Sequence, residues 1–180
     1  MALHEPGDQV GAIAAEIGQR PAPIKDRIRQ PFQESLRAPD LFGAAVAVVH
    51  DYLAEAGRLG LHLAVASSSS RAWVHGHLTR LALHQHFFCI KCRDDVSHPK
   101  PDPALYQAAL EALGVEPQEA IALEDSPNGI LAAKRAGLFC VAVPNPLTSQ
   151  LSLAQADLQV ASLADLPLTR LLAAVRPPGG

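Results

Sequence analysis

Three short stretches hold residue types suited to handling phosphate. Ala66-Ser67-Ser68-Ser69-Ser70 offers hydroxyls at the end of an apolar run, Pro99-Lys100-Pro101 fixes a lysine between prolines, and Glu124-Asp125-Ser126-Pro127-Asn128-Gly129 pairs two carboxylates ahead of a proline and a glycine. Hydroxyls and backbone N–H groups in a strand-to-helix turn suit an anion, because the helix that follows presents positive potential. Two adjacent carboxylates suit a hard cation such as Mg²⁺. A lysine held in an extended, poorly mobile turn can neutralise charge on a transferring phosphoryl group. Taken singly, each stretch has a plainer reading: a serine run as a turn or cap, Glu124-Asp125 as a helix cap, Lys100 as a solvated loop residue. Their order on consecutive strand ends argues for a shared site.

The elements that must position them follow from hydrophobic period and punctuation. From residue 61 the chain alternates strands and helices. Strands are expected at 61–66, 87–90, 120–123, 139–143 and 158–160. Helices are expected around Val74, Leu78 and Leu81, then at 103–113, 127–136 and 163–174. Pro127 at the first turn and Gly137 just past the last one fit the usual helix asymmetry. Such alternation predicts an α/β fold, a Rossmann-like parallel sheet flanked by helices, with ligands at the carboxyl ends of the strands. Before residue 45 the pattern is helical and interrupted by Pro21, Pro23, Pro31 and Pro39, with Val10, Ile13, Ala14 and Ile17 at helical spacing. A helix at 46–56 follows, closed by Gly57 and Gly60. The expected division is therefore 1–45 and 46–180.

Bulk composition narrows the function classes. Hydrophobic residues at 48% and charged residues at 18% suit a packed core rather than a disordered chain. A formal net charge of −3, with no basic run, gives no reason to expect nucleic acid. Apolar stretches such as 43–49 are far shorter than the roughly 20 residues of a membrane-spanning helix, and the opening MALHEPGDQ lacks a secretory pattern. Three cysteines make no disulfide framework, so a cytoplasmic protein is expected. Cys89-Ile-Lys-Cys92, near His84 and His86, is a weak metal or redox signal; Cys89 lies in an apolar strand and reads as a small hydrophobe. His75 and His77 are expected at the surface, and Asp94-Asp95 in a loop with no direct catalytic part.

The strings VASSSS, HPKPDPALY and ALEDSPNGILAAKRAGLFCVAVPNP resemble three of the four motifs of the haloacid dehalogenase superfamily, nearest to its β-phosphoglucomutase-like phosphatases and mutases. The resemblance covers residues 59–166. It implies that Ser67, with Ser68 beside it, binds the phosphoryl group and that Lys100 bridges that group and the nucleophile. It also implies that Glu124 and Asp125 hold Mg²⁺, Asp125 most directly, while Ser126 and Asn128 shape the loop. The segment 1–45 would be the remnant of an α-helical cap. The expected partner is a small phosphorylated, sugar phosphate-like metabolite, and the expected state a monomer.

The family's first motif, a strand followed by Asp-x-Asp-Gly, is absent. The aspartates are Asp8, Asp26, Asp40, Asp51, Asp94, Asp95, Asp102, Asp125, Asp157 and Asp165, and no two are separated by a single residue. Asp51 follows an apolar run, but residues 52–66 are too few for a crossover and a cap, and Val46, Val49, Leu53 and Ala56 fit a helix. The missing motif strand would lie in the middle of the sheet, leaving two hydrogen-bonding edges to be satisfied; the stretch 43–49 is one candidate to fill it. The expectation is a Mg²⁺-dependent phosphatase or phosphomutase chain truncated before its nucleophile and inactive as it stands. The alternative is a non-catalytic phosphate-binding or interaction protein that lost its nucleophile.

Overall fold

A computed structural model describes residues 39–175. The helix expected around Val10–Ile17 and nearly all of the cap segment 1–45 lie outside the described residues.

The first element among the described residues is helix α1, Pro39–Arg58. It starts earlier than the sequence pattern suggests because Pro39 occupies a first-turn position, where its missing N–H costs nothing. The stretch 43–49 is thus helical and supplies no strand, and Asp51 sits exposed on the same helix. Val49, Tyr52, Leu53 and Ala56 form the buried stripe at the spacing that puts them on one helical face. Gly60, at φ +69°, lets the chain reverse. The remaining elements alternate: β1 (Ala64–Ala66), α2 (Arg71–Arg80), β2 (Cys89–Lys91), α3 (Ala104–Leu113), β3 (Ile121–Glu124), α4 (Pro127–Arg135), β4 (Phe139–Ala142), β5 (Leu158–Gln159) and α5 (Leu168–Val175). Gly114 at φ +67° and Gly137 at φ +84° close α3 and α4.

Every strand pairing is parallel, as the alternation of strands and helices requires. The sheet comes in two pieces. β1 pairs with β2, with Ala64 opposite Cys89 and Ala66 opposite Lys91. β3 pairs with β4, and β4 with β5. Among the described residues no strand joins β1 to β3, which is where the missing motif would leave a break.

The two pieces nevertheless behave as one layer. Val65 of β1 packs in the same cluster as Leu123 of β3 and Val141 of β4, against Leu53, Val74 and Leu171 from α1, α2 and α5. On the opposite face Ala66, Ala122, Cys140 and Ala142 pack against Leu105, Tyr106, Ile130, Ala132 and Ala133 of α3 and α4. Alternation along each strand thus sends large side chains to one face and small ones to the other. The small face brings α4 close to the sheet.

Several expected details shift. The strands are shorter than their apolar runs, and Phe88 is exposed rather than in the sheet. The closing helix begins at Leu168, because a 3₁₀ turn at Leu163–Asp165 and then Pro167 precede it. His75 and His77 are half-buried, not free at the surface. One His75 ring nitrogen lies 3.2 Å from one of His84, and His77 stacks on Trp73. Among the described residues no helix is long and apolar enough to cross a membrane.

Candidate functional site

The site lies at the carboxyl ends of β1 and β3. Ser67 directly follows β1 and is fully buried; its N–H donates to the Lys91 carbonyl at 2.8 Å, extending the parallel ladder by one bond. Its hydroxyl accepts the N–H of Ser69 at 3.1 Å. The Ser69 carbonyl in turn accepts from Arg93 at 3.1 Å, so the serine loop is braced against the end of β2. Ser68 and Ser69 are half-buried. The first N–H of α2, that of Arg71, donates to Asp94 Oδ2 at 2.7 Å, and the Arg71 guanidinium pairs with Asp95. A carboxylate thus already complements the start of this helix. Asp94-Asp95, expected in an uninvolved loop, clamps the serine loop's helix in place.

Lys100 enters from the connection between β2 and α3. It is only 4% exposed, and Glu124 only 1%. The Lys100 ammonium donates to the Ala66 carbonyl at 2.9 Å and to Glu124 Oε1 at 2.5 Å. One side chain therefore ties the end of β1 to the end of β3. An ion pair this buried is stable only with further hydrogen bonds to its members. Tyr106 provides one: its hydroxyl donates to the same Glu124 oxygen, and its ring centroid lies 4.8 Å from the ammonium. The backbone around Lys100 is held as well, with Asp102 N–H donating to the Pro99 carbonyl and Arg135 to that of Pro101.

Glu124 turns inward beneath α4. A methyl group at Gly129 would come within 1.8 Å of Glu124 Oε2, so only glycine allows the carboxylate and helix to pack together. Ser126 caps α4 by accepting the Gly129 N–H at 3.1 Å. Asn128 is exposed in the first turn. Asp125 is half-buried, and its Oδ2 accepts from the Asn145 side-chain amide at 2.6 Å.

The fold therefore brings Ser67, Glu124 and Asp125 together at the ends of β1 and β3, with Lys100 reaching between them from a loop and Ser126 at the helix cap. Tyr106 and Asn145 were not singled out from sequence, and Gly129 only as the glycine that follows the acidic pair. The glycine's place three residues past Ser126, inside a first helical turn where alanine would propagate the helix better, is a signal for close approach. Asn145 lies between Pro144 and Pro146, the same frame that surrounds Lys100. Tyr106 carries no local signal, since its partners are supplied by other elements.

Mg²⁺ is coordinated by one or two carboxylates together with water and phosphate oxygens, not by an all-protein cage. Among the described residues no group of three or more His, Cys, Asp or Glu could enclose a metal. Asp125, half-buried and oriented by an amide, fits that one-carboxylate mode. Glu124 shares an oxygen with Lys100 and Tyr106, which suits it to holding the lysine. The Cys89–Cys92 pair has a different character. Cys92 is buried and Cys89 half-buried, and burial raises both thiols, that of Cys92 to about 11.

Residues 21–143, more than half the chain, match the haloacid dehalogenase-like hydrolase family. The chain is 47% identical over 124 residues to YhcW of Bacillus subtilis (strain 168), covering 69% of this chain and 56% of that protein. It is 40% identical over 130 residues to validoxylamine A 7′-phosphate phosphatase of Streptomyces hygroscopicus subsp. limoneus, covering 71% and 60%. It thus spans little more than half the length of these relatives. The crystal structure of CbbY from Rhodobacter sphaeroides in complex with phosphate superposes with a TM-score of 0.66 at 35% identity, over 86% of this chain and 71% of that one. With three motifs in order on the strand ends of a parallel sheet, the chain belongs to the haloacid dehalogenase-like hydrolase family.

Proposed function

We propose that this chain forms the phosphate- and metal-holding part of a Mg²⁺-dependent phosphatase or phosphomutase for a small, sugar phosphate-like metabolite, and that by itself it does not turn substrate over. The observation that carries the reading is Lys100, a buried ammonium placed between the end of β1 and the end of β3. A fixed cation there neutralises charge developing on a phosphoryl group without reorganising. Ser67 and Ser68 supply hydroxyls to phosphoryl oxygens, Asp125 takes the metal, and Glu124 secures the lysine with a lesser part in metal binding. Ser126 and Asn128 shape the acidic loop. Bound Mg²⁺ would neutralise charge on the phosphoryl oxygens. The division into a cap remnant, 1–45, and a core, 46–180, belongs to this reading, as do a cytoplasmic setting and a monomer.

The proposed lack of turnover rests on the missing Asp-x-Asp spacing. Carboxylate catalysis splits the displacement into two steps through a covalent intermediate, and none of the chain's aspartates has the spacing for the nucleophile and its acid–base partner. Absence of the whole motif, with Ser67, Lys100, Glu124 and Asp125 all retained, favours this reading over the second, a phosphate-binding protein that lost only its nucleophile.

The test uses the full chain, an aryl phosphate and MgCl₂, with Lys100→Ala as control. The expected outcome is no release above background, with inorganic phosphate binding in the chain and not in the variant. Release that vanishes in Lys100→Ala would overturn the lack of turnover. Phosphate affinity that is identical with and without Mg²⁺ would favour the non-catalytic reading.

A further inference from the structure

We propose that Asn145 is a positioning residue for the metal, acting through Asp125; this rests on the reading of Asp125 as the metal-facing carboxylate. The loop after β4 brings Asn145 beside the acidic loop, where its side-chain Nδ2 donates to Asp125 Oδ2 at 2.6 Å. The orientation of the amide is fixed by its other end. Asn145 Oδ1 accepts the N–H groups of Leu147 at 2.8 Å and Thr148 at 3.0 Å. Only the oxygen can accept both, so the nitrogen must face Asp125.

The backbone is equally constrained. Asn145 N–H donates to Thr148 Oγ1 at 3.0 Å, and the Asn145 carbonyl accepts from Thr148 and Ser149. Pro144 fixes its own φ just before Asn145, and Pro146 keeps Asn145 extended. A side chain held by its own turn, its backbone and two flanking prolines is a stiff arm. Its one long-range hydrogen bond runs to a carboxylate twenty residues earlier. Mg²⁺ demands near-ideal octahedral geometry and tolerates little ligand wobble, so fixing the plane of the Asp125 carboxylate fixes the direction from which the ion is held. Hydrogen-bonding partners of this kind are where metal affinity is tuned.

The experiment is an NMR titration of the full chain with MgCl₂ and with CaCl₂, at one pH, alongside thermal unfolding without metal. Asn145→Ala is expected to weaken Mg²⁺ binding about 10- to 100-fold, the range seen when a ligand's hydrogen-bonding partner is removed. Thr148→Val, which removes only the turn's hydroxyl, is expected to lower Tm and leave Mg²⁺ affinity within about twofold. Asn145→Asp keeps an oxygen for Leu147 and Thr148 and so preserves the turn if alanine does not fold. By replacing the amide donor with a second carboxylate oxygen it should shift preference toward Ca²⁺, which accepts more and looser oxygen ligands. Wild-type affinity in Asn145→Ala, unchanged ion preference in Asn145→Asp, or equal weakening in Thr148→Val would each overturn the inference while leaving the Asp125 reading intact. A wild-type chain with no saturable Mg²⁺ binding would overturn both.

Discussion

The two pieces of the sheet solve the same problem by different means. The β1–β2 half shapes its strand end with backbone contacts and exposed charges: Ser67 N–H on Lys91, Arg93 N–H on Ser69, and Arg71 with Asp94 and Asp95. The β3–β4–β5 half uses close packing and buried or semi-buried polar groups: Gly129 over Glu124, Ser126 as a cap, Asn145 on Asp125, and Lys134 with Asp157. Each half can therefore organise its own loop locally. The distance between the loops is set by what crosses the break, namely the shared core and Lys100. The serine loop and the acidic loop are thus separately built, and their joint geometry depends on a side-chain bridge.

Removing the bridge should have the largest effect. Lys100→Ala strips a buried carboxylate of its counter-charge and is expected to cost about 3–5 kcal/mol. Pairing Lys100→Met with Glu124→Gln should cost well under the sum of the two single changes, because the stranded charge is gone. Urea unfolding of the four proteins in that cycle measures the coupling; additive costs would mean that the bridge does not join the halves. A milder cut is Tyr106→Phe, which keeps the ring over the ammonium and deletes only the hydroxyl's bond to Glu124. It is expected to cost about 1–2 kcal/mol, and much less when Glu124 is already glutamine.

The smallest effect should be confined to the three-stranded half. Asp157 accepts from Lys134 at 2.6 Å and from the Cys140 N–H at 2.7 Å, clamping the start of β4 to the approach to β5. Partial burial opposes ionisation, yet the Lys134 ion pair and the two backbone bonds outweigh it and hold the carboxyl below its ordinary value. A folded pKa below the unfolded one, near 3.9, gives stabilisation that is fully present above that pH and is lost as pH falls through the folded value. Asp157→Asn should therefore lower the urea midpoint by the equivalent of less than about 1 kcal/mol at pH 6. The gap should begin to narrow below about pH 4 and close as pH falls through the folded value. A difference that persists after the folded Asp157 has itself been protonated would show that packing, not charge, is at work there.

Much of the fold was legible because its signals are local. Glycines at left-handed positions, Pro127 at a first turn and the 2-to-3.6 switch in hydrophobic period mark βαβ units without reference to anything distant. The site was legible to the same depth: Ser67, Glu124 and Asp125 stand at strand ends, which are readable, and Lys100 is marked by its flanking prolines. The start of α1 and the short strands were not, since how far an apolar run pairs depends on its neighbours. Nor could sequence reveal that Asp94 complements the helix after the serine loop, a contact made across 23 residues of chain.

By itself, then, the sequence determined which chemical groups this protein carries to the ends of its strands, and that no aspartate pair accompanies them with the spacing of the missing motif. Only the tertiary structure decided how those groups are shared: Glu124 with Lys100 and Tyr106, Asp125 with Asn145, and two strand ends with one ammonium. The reason is physical. Residue type and spacing fix what can ionise, donate or accept. Pairing depends on distance in space, which is set by packing between elements far apart in the chain.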